Sequence, residues 1–168
     1  RFTTTSGDWA VRCFLNHRPE QKERYEKISK YVLMEKLKYT VDFHYLEEGI
    51  KVRGRWYPLL KMNWIDGQTF ESFLQSNYRN KETIAFLKEE FARLAKGLDD
   101  AGMAHGDLQH GNMIVTQSGD RLNLNLIDYD AIYVPDLAGK LSLEIGHPNY
   151  QHPERNEYNY DTTADNFS

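Results

Sequence analysis

Apolar and polar positions change their rhythm once along this chain. Phe2-Thr3-Thr4-Thr5 is β-branched, Ser6-Gly7-Asp8 has turn chemistry, and residues 9–15 read as a strand, so a hairpin opens the sequence. Pro19 then starts a charged helix running to about residue 38, with Tyr25, Ile28, Val32 and Leu33 at helical spacing. Residues 41–46 alternate as a strand, Gly49 and Arg53-Gly54 mark turns, and residues 56–65 form another strand. Short turns of this kind predict an antiparallel sheet. Beyond Asp66-Gly67 the rhythm becomes helical. Residues 70–78 form a short helix, and residues 83–98 a longer one with Ile84, Phe86, Leu87, Phe91, Leu94, Ala95 and Leu98 as its apolar set. Two short strands follow, 113–116 and 122–127, hinged at Ser118-Gly119. After Asp128 no long periodic element is legible. The pattern predicts an α+β chain in two parts: a strand-rich front with one helix over 1–65, and a mainly helical back over 66–168.

Composition narrows the classes. With 40% hydrophobic residues among 168, the chain is a folded protein, of a size that buries a core without staples. Its 21 basic and 25 acidic side chains leave a net charge of −4, which gives no reason to expect nucleic-acid or membrane binding. Cys13 is the only cysteine, so no internal disulfide forms. No apolar run approaches the roughly 20 residues that cross a bilayer. A cytoplasmic protein is expected. Both ends look cut, so the stretch is expected to be a fragment of a longer chain.

Chemistry concentrates in one loop. His105-Gly106-Asp107-Leu108-Gln109-His110-Gly111-Asn112 lies between a helix and a strand, and Asp128 stands at the end of the strand that follows. A carboxylate and an amide on one loop, with a second carboxylate at a strand end, can converge. Phosphoryl transfer uses such a set: one Asp accepts the proton of the attacking hydroxyl, while an Asn and a second Asp hold magnesium against the phosphates.

These residues resemble the eukaryotic-type (Hanks-type) protein kinase superfamily. Residues 105–112 look like the catalytic loop H-R-D-L-x-x-x-N, with Gly106 where the Arg stands. Asp128-Tyr129-Asp130 is similar to D-F-G, with Asp in place of Gly. Residues 146–154 resemble the G-T-P-x-Y-x-A-P-E end of an activation segment. Asp165-Asn166-Phe167-Ser168 resembles the D-x-W-S that begins the central back-lobe helix. Residues 60–67 look like the hinge between lobes, with Met62 as gatekeeper. The strand around Arg12 resembles V-A-I-K, with Arg12 in the place of the phosphate-binding Lys.

The resemblance implies a kinase-like two-lobed fold lacking its Gly-rich loop and later back-lobe helices. It implies an ATP- and Mg2+-dependent phosphotransferase acting on Ser or Thr of a protein substrate. Asp107 would be the base, Asn112 and Asp128 the metal ligands, and the backbone of Asn63 and Ile65 the adenine contacts beside Met62. Arg12 would meet the phosphates, paired with Glu26 of the front helix. Asp107, Asn112 and Asp128 are expected to converge on one cleft between the lobes, with Arg12 pointing into it. Without the Gly-rich loop the stretch alone is expected to be a poor enzyme. Two other readings stand beside this one. Arg12 and Asp130 suit a pseudokinase that binds nucleotide or a partner without catalysis. His105-Gly106-Asp107 suits a small-molecule kinase, against which the Pro153-Glu154 ending counts.

Overall fold

A computed structural model describes residues 1–16, 19–119 and 121–167. Among the described residues the protein is mixed α+β, with three α-helices and two antiparallel sheets. It divides into two compact units, one of Arg1–Lys36 and Val41–Ile65, the other of Leu37–Thr40 and Asp66–Ser168. No described helix is long and apolar enough to cross a membrane.

The first unit is a four-stranded sheet with one helix. Strands β1 (Phe2–Thr4) and β2 (Gly7–Cys13) form the opening hairpin; α1 (Pro19–Glu35) follows; β3 (Phe43–Val52) and β4 (Arg55–Asn63) form a second hairpin. The order is β1-β2-β4-β3. Helix α1 buries Tyr25, Ile28 and Val32 against one face of the sheet, whereas Leu33, which the periodicity also marked, stays exposed. Tyr25 stacks on Tyr45 at 5.3 Å and meets Phe14 and Phe43 at 5.8 and 6.1 Å. Register puts Arg12 opposite Leu60, which lies opposite Tyr45, so Arg12 stands on this same α1-facing side.

Gly49 does not form a turn. It lies inside β3, where the register shifts between Leu46 and Ile50 as a bulge. A Cβ at this position would come 2.4 Å from Leu59 Cγ, so close approach across the strands, not chain reversal, requires the glycine. The reversal comes later, at Arg53-Gly54, where both residues have positive φ.

The second unit holds α2 (Phe70–Asn77) and α3 (Lys81–Asp100) beside a three-stranded sheet of β5 (Gln68–Thr69), β6 (Met113–Ser118) and β7 (Arg121–Leu126). Thr69 and Asn80 cap the helices, their side-chain oxygens accepting N–H groups of the first turns. Leu87, Leu94, Leu98, Met113, Val115, Leu124 and Leu126 make the core. The expected end of α1 near residue 38 falls short, because Leu37–Thr40 belongs to this second unit. Lys38 pairs with the buried Glu90 at 2.8 Å, Tyr39 packs on Gly97, and the Tyr39 carbonyl accepts Leu126 N–H at 2.7 Å. The described residues beyond β7 run without regular elements apart from single turns at Pro135–Leu137 and Pro148–Tyr150.

Candidate active site

Two elements fix the loop at residues 105–112. Helix α3 delivers the chain to its start, and a single helical turn at His110–Asn112 leads into β6. The His105 ring is fully buried and places Nε2 3.0 Å from the Ile127 carbonyl, so Nε2 carries the proton and donates. Its backbone N–H, and that of Gly106 at 2.8 Å, donate to the two carboxylate oxygens of Asp165. Asp165 thus grips the loop from 60 residues away, and Gln151 adds a bond from Nε2 to the Gly106 carbonyl. Ser168, the last residue of the motif that Asp165 opens, lies outside the described residues.

Gly106 has φ 76, and a Cβ there would lie 2.3 Å from the Ala131 carbonyl oxygen. The position therefore admits no side chain in this backbone conformation.

Asp107 is half-buried and held from three sides. Its Oδ2 accepts from Gln109 Nε2 and from Asn112 Nδ2, each at 2.8 Å. Its Oδ1 accepts the backbone N–H of His147 at 2.7 Å. Asn112 Nδ2 also reaches the Asp107 carbonyl at 2.9 Å, which commits the amide nitrogen and leaves Oδ1 of Asn112 as an oxygen donor. The two carboxylate oxygens offer about four lone pairs, of which three are taken.

Asp128 reaches the loop through its neighbour. Ile127 N–H donates to the Asn112 carbonyl at 2.9 Å, tying the end of β7 to Asn112. Asp128 itself is exposed and has φ 66, a left-handed conformation that Asp tolerates better than most side chains. The reversed backbone sends Tyr129 into the core, where its hydroxyl donates to the Leu126 carbonyl. Asp130 is buried.

Arg155 supplies the local cation. Burial lowers its pKa, and the carboxylates of Asp165, Asp107 and Asp161 act in the opposite sense. It donates to Gln151 Oε1 and to the Ala164 carbonyl. Asp161 is held below the ordinary carboxylate range by the Thr163 hydroxyl and backbone N–H. On the other side of the loop, His110 Nδ1 meets the Tyr150 hydroxyl while Nε2 lies 3.4 Å from Glu71.

The second unit thus brings together Asp107 and Asn112 directly, and Asp128 through the adjoining peptide. The other expected site residues, Arg12, Glu26, Met62, Asn63 and Ile65, belong to the first unit. Arg12 is exposed, its guanidinium 5.5 Å from the Phe14 ring centroid. Glu26 is exposed on α1 and adds to the negative charge around Lys22. Met62 is buried opposite Ala10 and Phe43; Asn63 ends β4 with its N–H on the Asp42 carbonyl; Ile65 is half-buried. Gln109, the His147 N–H and Arg155 are site groups that the sequence did not single out. Nothing in spacing or composition marks them, since each acts through the folded loop.

Among the described residues no three His, Cys, Asp or Glu side chains gather into a metal cluster. The donor set available, one carboxylate and one amide oxygen, fits magnesium, which takes few protein ligands and completes its shell with phosphate oxygens and water. No family model matches the chain.

Proposed function

We propose that this chain carries the transfer site of an ATP-dependent protein serine/threonine kinase-like enzyme, with the two units as its lobes and a cytoplasmic location. The observation that carries the reading is the Asp107 carboxylate. Three N–H donors hold it in one orientation, and one lone pair remains for a substrate hydroxyl.

The chemistry assigned to the chain's own residues is simple. Asp107 orients the acceptor hydroxyl and takes its proton as the oxygen attacks the γ-phosphorus of ATP. The bond from that phosphorus to the β,γ-bridging oxygen breaks, and ADP leaves with the bond's electron pair. Asn112 holds the base in place through Nδ2, while its Oδ1 and the Asp128 carboxylate would hold Mg2+. The ion, when bound, neutralises charge on the phosphates. Arg12 is assigned to the phosphates with Glu26 beside it, and Asn63 and Ile65 to adenine next to Met62. A protein acceptor is favoured because residues 146–151 lie against the loop, through His147 on Asp107 and Gln151 on Gly106.

A second reading, a nucleotide- or partner-binding scaffold, is favoured by Arg12 in place of lysine, since the forked guanidinium is not equivalent to a compact ammonium. Phosphate transfer from labelled ATP to an acceptor protein, measured on the full-length protein, separates the two. Asp107→Asn is expected to lower turnover by about 10²–10⁴ with ATP affinity unchanged. Asp128→Gly, which relieves the positive φ, is expected to keep the fold and abolish magnesium-dependent transfer. Equal transfer by Asp107→Asn overturns the assignment of the base. ATP binding by the wild type without transfer selects the scaffold.

A further inference from the structure

We propose that the tip of the β3–β4 hairpin is an interfacial anchor that docks this protein on an anionic lipid bilayer. The proposal does not depend on the phosphotransferase reading. Strand β2 pairs with β4 only from Leu59 to Asn63. Among the described residues no third strand lies beside the last three pairs of the hairpin, Ile50↔Tyr57, Lys51↔Trp56 and Val52↔Arg55. Residues 50–56 of this end are all exposed.

Its side chains are unlike those of a solvated turn. Ile50, Val52 and Trp56 are 38, 46 and 45% exposed. Three cations are interleaved with them. Lys51 Nζ lies 5.5 Å from the Trp56 ring, Arg55 lies 5.3 Å over Tyr57, and Arg53 occupies the turn. No acidic residue falls between positions 50 and 57. Cross-strand partners share a face, so Ile50, Val52, Arg55 and Tyr57 stand on one side and Lys51 and Trp56 on the other. Each face combines apolar surface with a cation.

The bilayer interface suits both. Aliphatic side chains enter the acyl boundary, the aromatic rings sit at headgroup depth, and lysine and arginine reach lipid phosphates along their apolar stems. Nucleic acid would use the aromatic rings and cations but offers nothing to Ile50 and Val52. Charge is segregated to match. Residues 1–65 contain 13 basic and 8 acidic side chains, a net of +5, whereas residues 66–168 contain 8 and 17, a net of −9. The overall −4 averages a cationic part and an acidic one, and so conceals the attraction of the first to an anionic leaflet.

Flotation with phosphatidylcholine vesicles, with and without phosphatidylserine, tests this on the whole chain. The wild type is expected to float only with the phosphatidylserine vesicles and to be released by high salt. Lys51→Glu/Arg53→Glu/Arg55→Glu is expected to weaken binding by well over tenfold, and Arg55→Gln alone by roughly fivefold, with circular dichroism unchanged. Trp emission should move to shorter wavelength on binding, and Trp56→Phe should remove most of that shift while leaving flotation in place. A wild type that ignores phosphatidylserine vesicles overturns the proposal. So does a triple variant that binds as well as wild type, an emission shift that survives Trp56→Phe, or a single-stranded oligonucleotide that binds the hairpin in preference to vesicles.

Discussion

The Oδ1 of Asp107 accepts the backbone N–H of His147 at 2.7 Å, joining two residues 40 positions apart. A main-chain donor survives any change of the His147 side chain except to proline, which has no N–H, so this bond orients the carboxylate with every other residue at position 147. The remaining support comes from Gln109 and Asn112 on the other oxygen. The loop's own anchors, Gly106 and Asp165, therefore decide whether Asp107 stays in register with the segment that carries His147.

Gly106→Ala is expected to destabilise the protein by about 2–4 kcal/mol in urea unfolding, from a strained φ and a clash with the Ala131 carbonyl. Gly106→Arg, with a longer side chain at the same positive φ, should be worse and not better. Equal stability of wild type and Gly106→Ala would mean that the loop has another conformation.

Asp165→Ala should cost about 2–4 kcal/mol, because it orphans the N–H groups of His105 and Gly106, both of which bond a charged acceptor. Asp165→Asn keeps one acceptor oxygen and should recover about half. The readout that separates anchoring from general damage is hydrogen exchange: the amides of His105 and Gly106 should lose protection ahead of the α3 core.

How much of this was legible in the sequence depends on chain separation. Asp107 and Asn112 are five residues apart, so their spacing carried the information that one loop presents both. The helices announced themselves through Leu87, Leu94 and Leu98 in α3 and Tyr25, Ile28 and Val32 in α1, whose period is a local property. Gly49 was misread because a bulge and a turn recruit the same residue, and the contact that decides between them is with Leu59 on the neighbouring strand. Strand β5 has two residues and no period to detect. Asp165 was marked only by the motif it opens; that its carboxylate takes the N–H groups of His105 and Gly106, about 60 residues away, is a contact that no local pattern carries. The short stretch Leu37–Thr40 looked like a helix end, and only the buried Glu90 on α3 explains why it leaves α1.

That Glu90 gives a pH prediction. Burial pushes its carboxyl up, but hydrogen bonds from Lys38 and Arg93 outweigh burial and hold it below its ordinary value of 4.5. A carboxyl depressed in the folded state binds fewer protons there than when unfolded. Its contribution is therefore complete above pH 4.5 and is lost as pH falls through the folded value. Lys38 is raised above 10.5, chiefly by its bond to Glu90, so its contribution is complete below that and fades as pH rises further. Lys38→Met should cost about 1–2 kcal/mol at neutral pH. Glu90→Gln should flatten the fall in stability below pH 5. An unchanged acid slope in Glu90→Gln would show that the pair does not set it.

Arg12 carries the last prediction. Strand register places it on the sheet face that α1 covers, opposite Leu60 and over the ring of Phe14, while the residue itself stays exposed. A guanidinium on such a face can give charge-assisted bonds to phosphate oxygens. Losing them is expected to weaken ATP binding by about tenfold or more in Arg12→Ala, because a hydrogen bond to a charged group contributes about 1.5–3 kcal/mol. Adenosine, which has no phosphates, should bind both proteins alike, and that contrast separates phosphate recognition from a damaged sheet. Arg12→Lys substitutes a compact point charge for a planar fork. Should it raise turnover in the full-length protein, the arginine marks a chain partway toward a scaffold. Unchanged ATP affinity in Arg12→Ala would remove Arg12 from the nucleotide site and leave it a surface residue of β2.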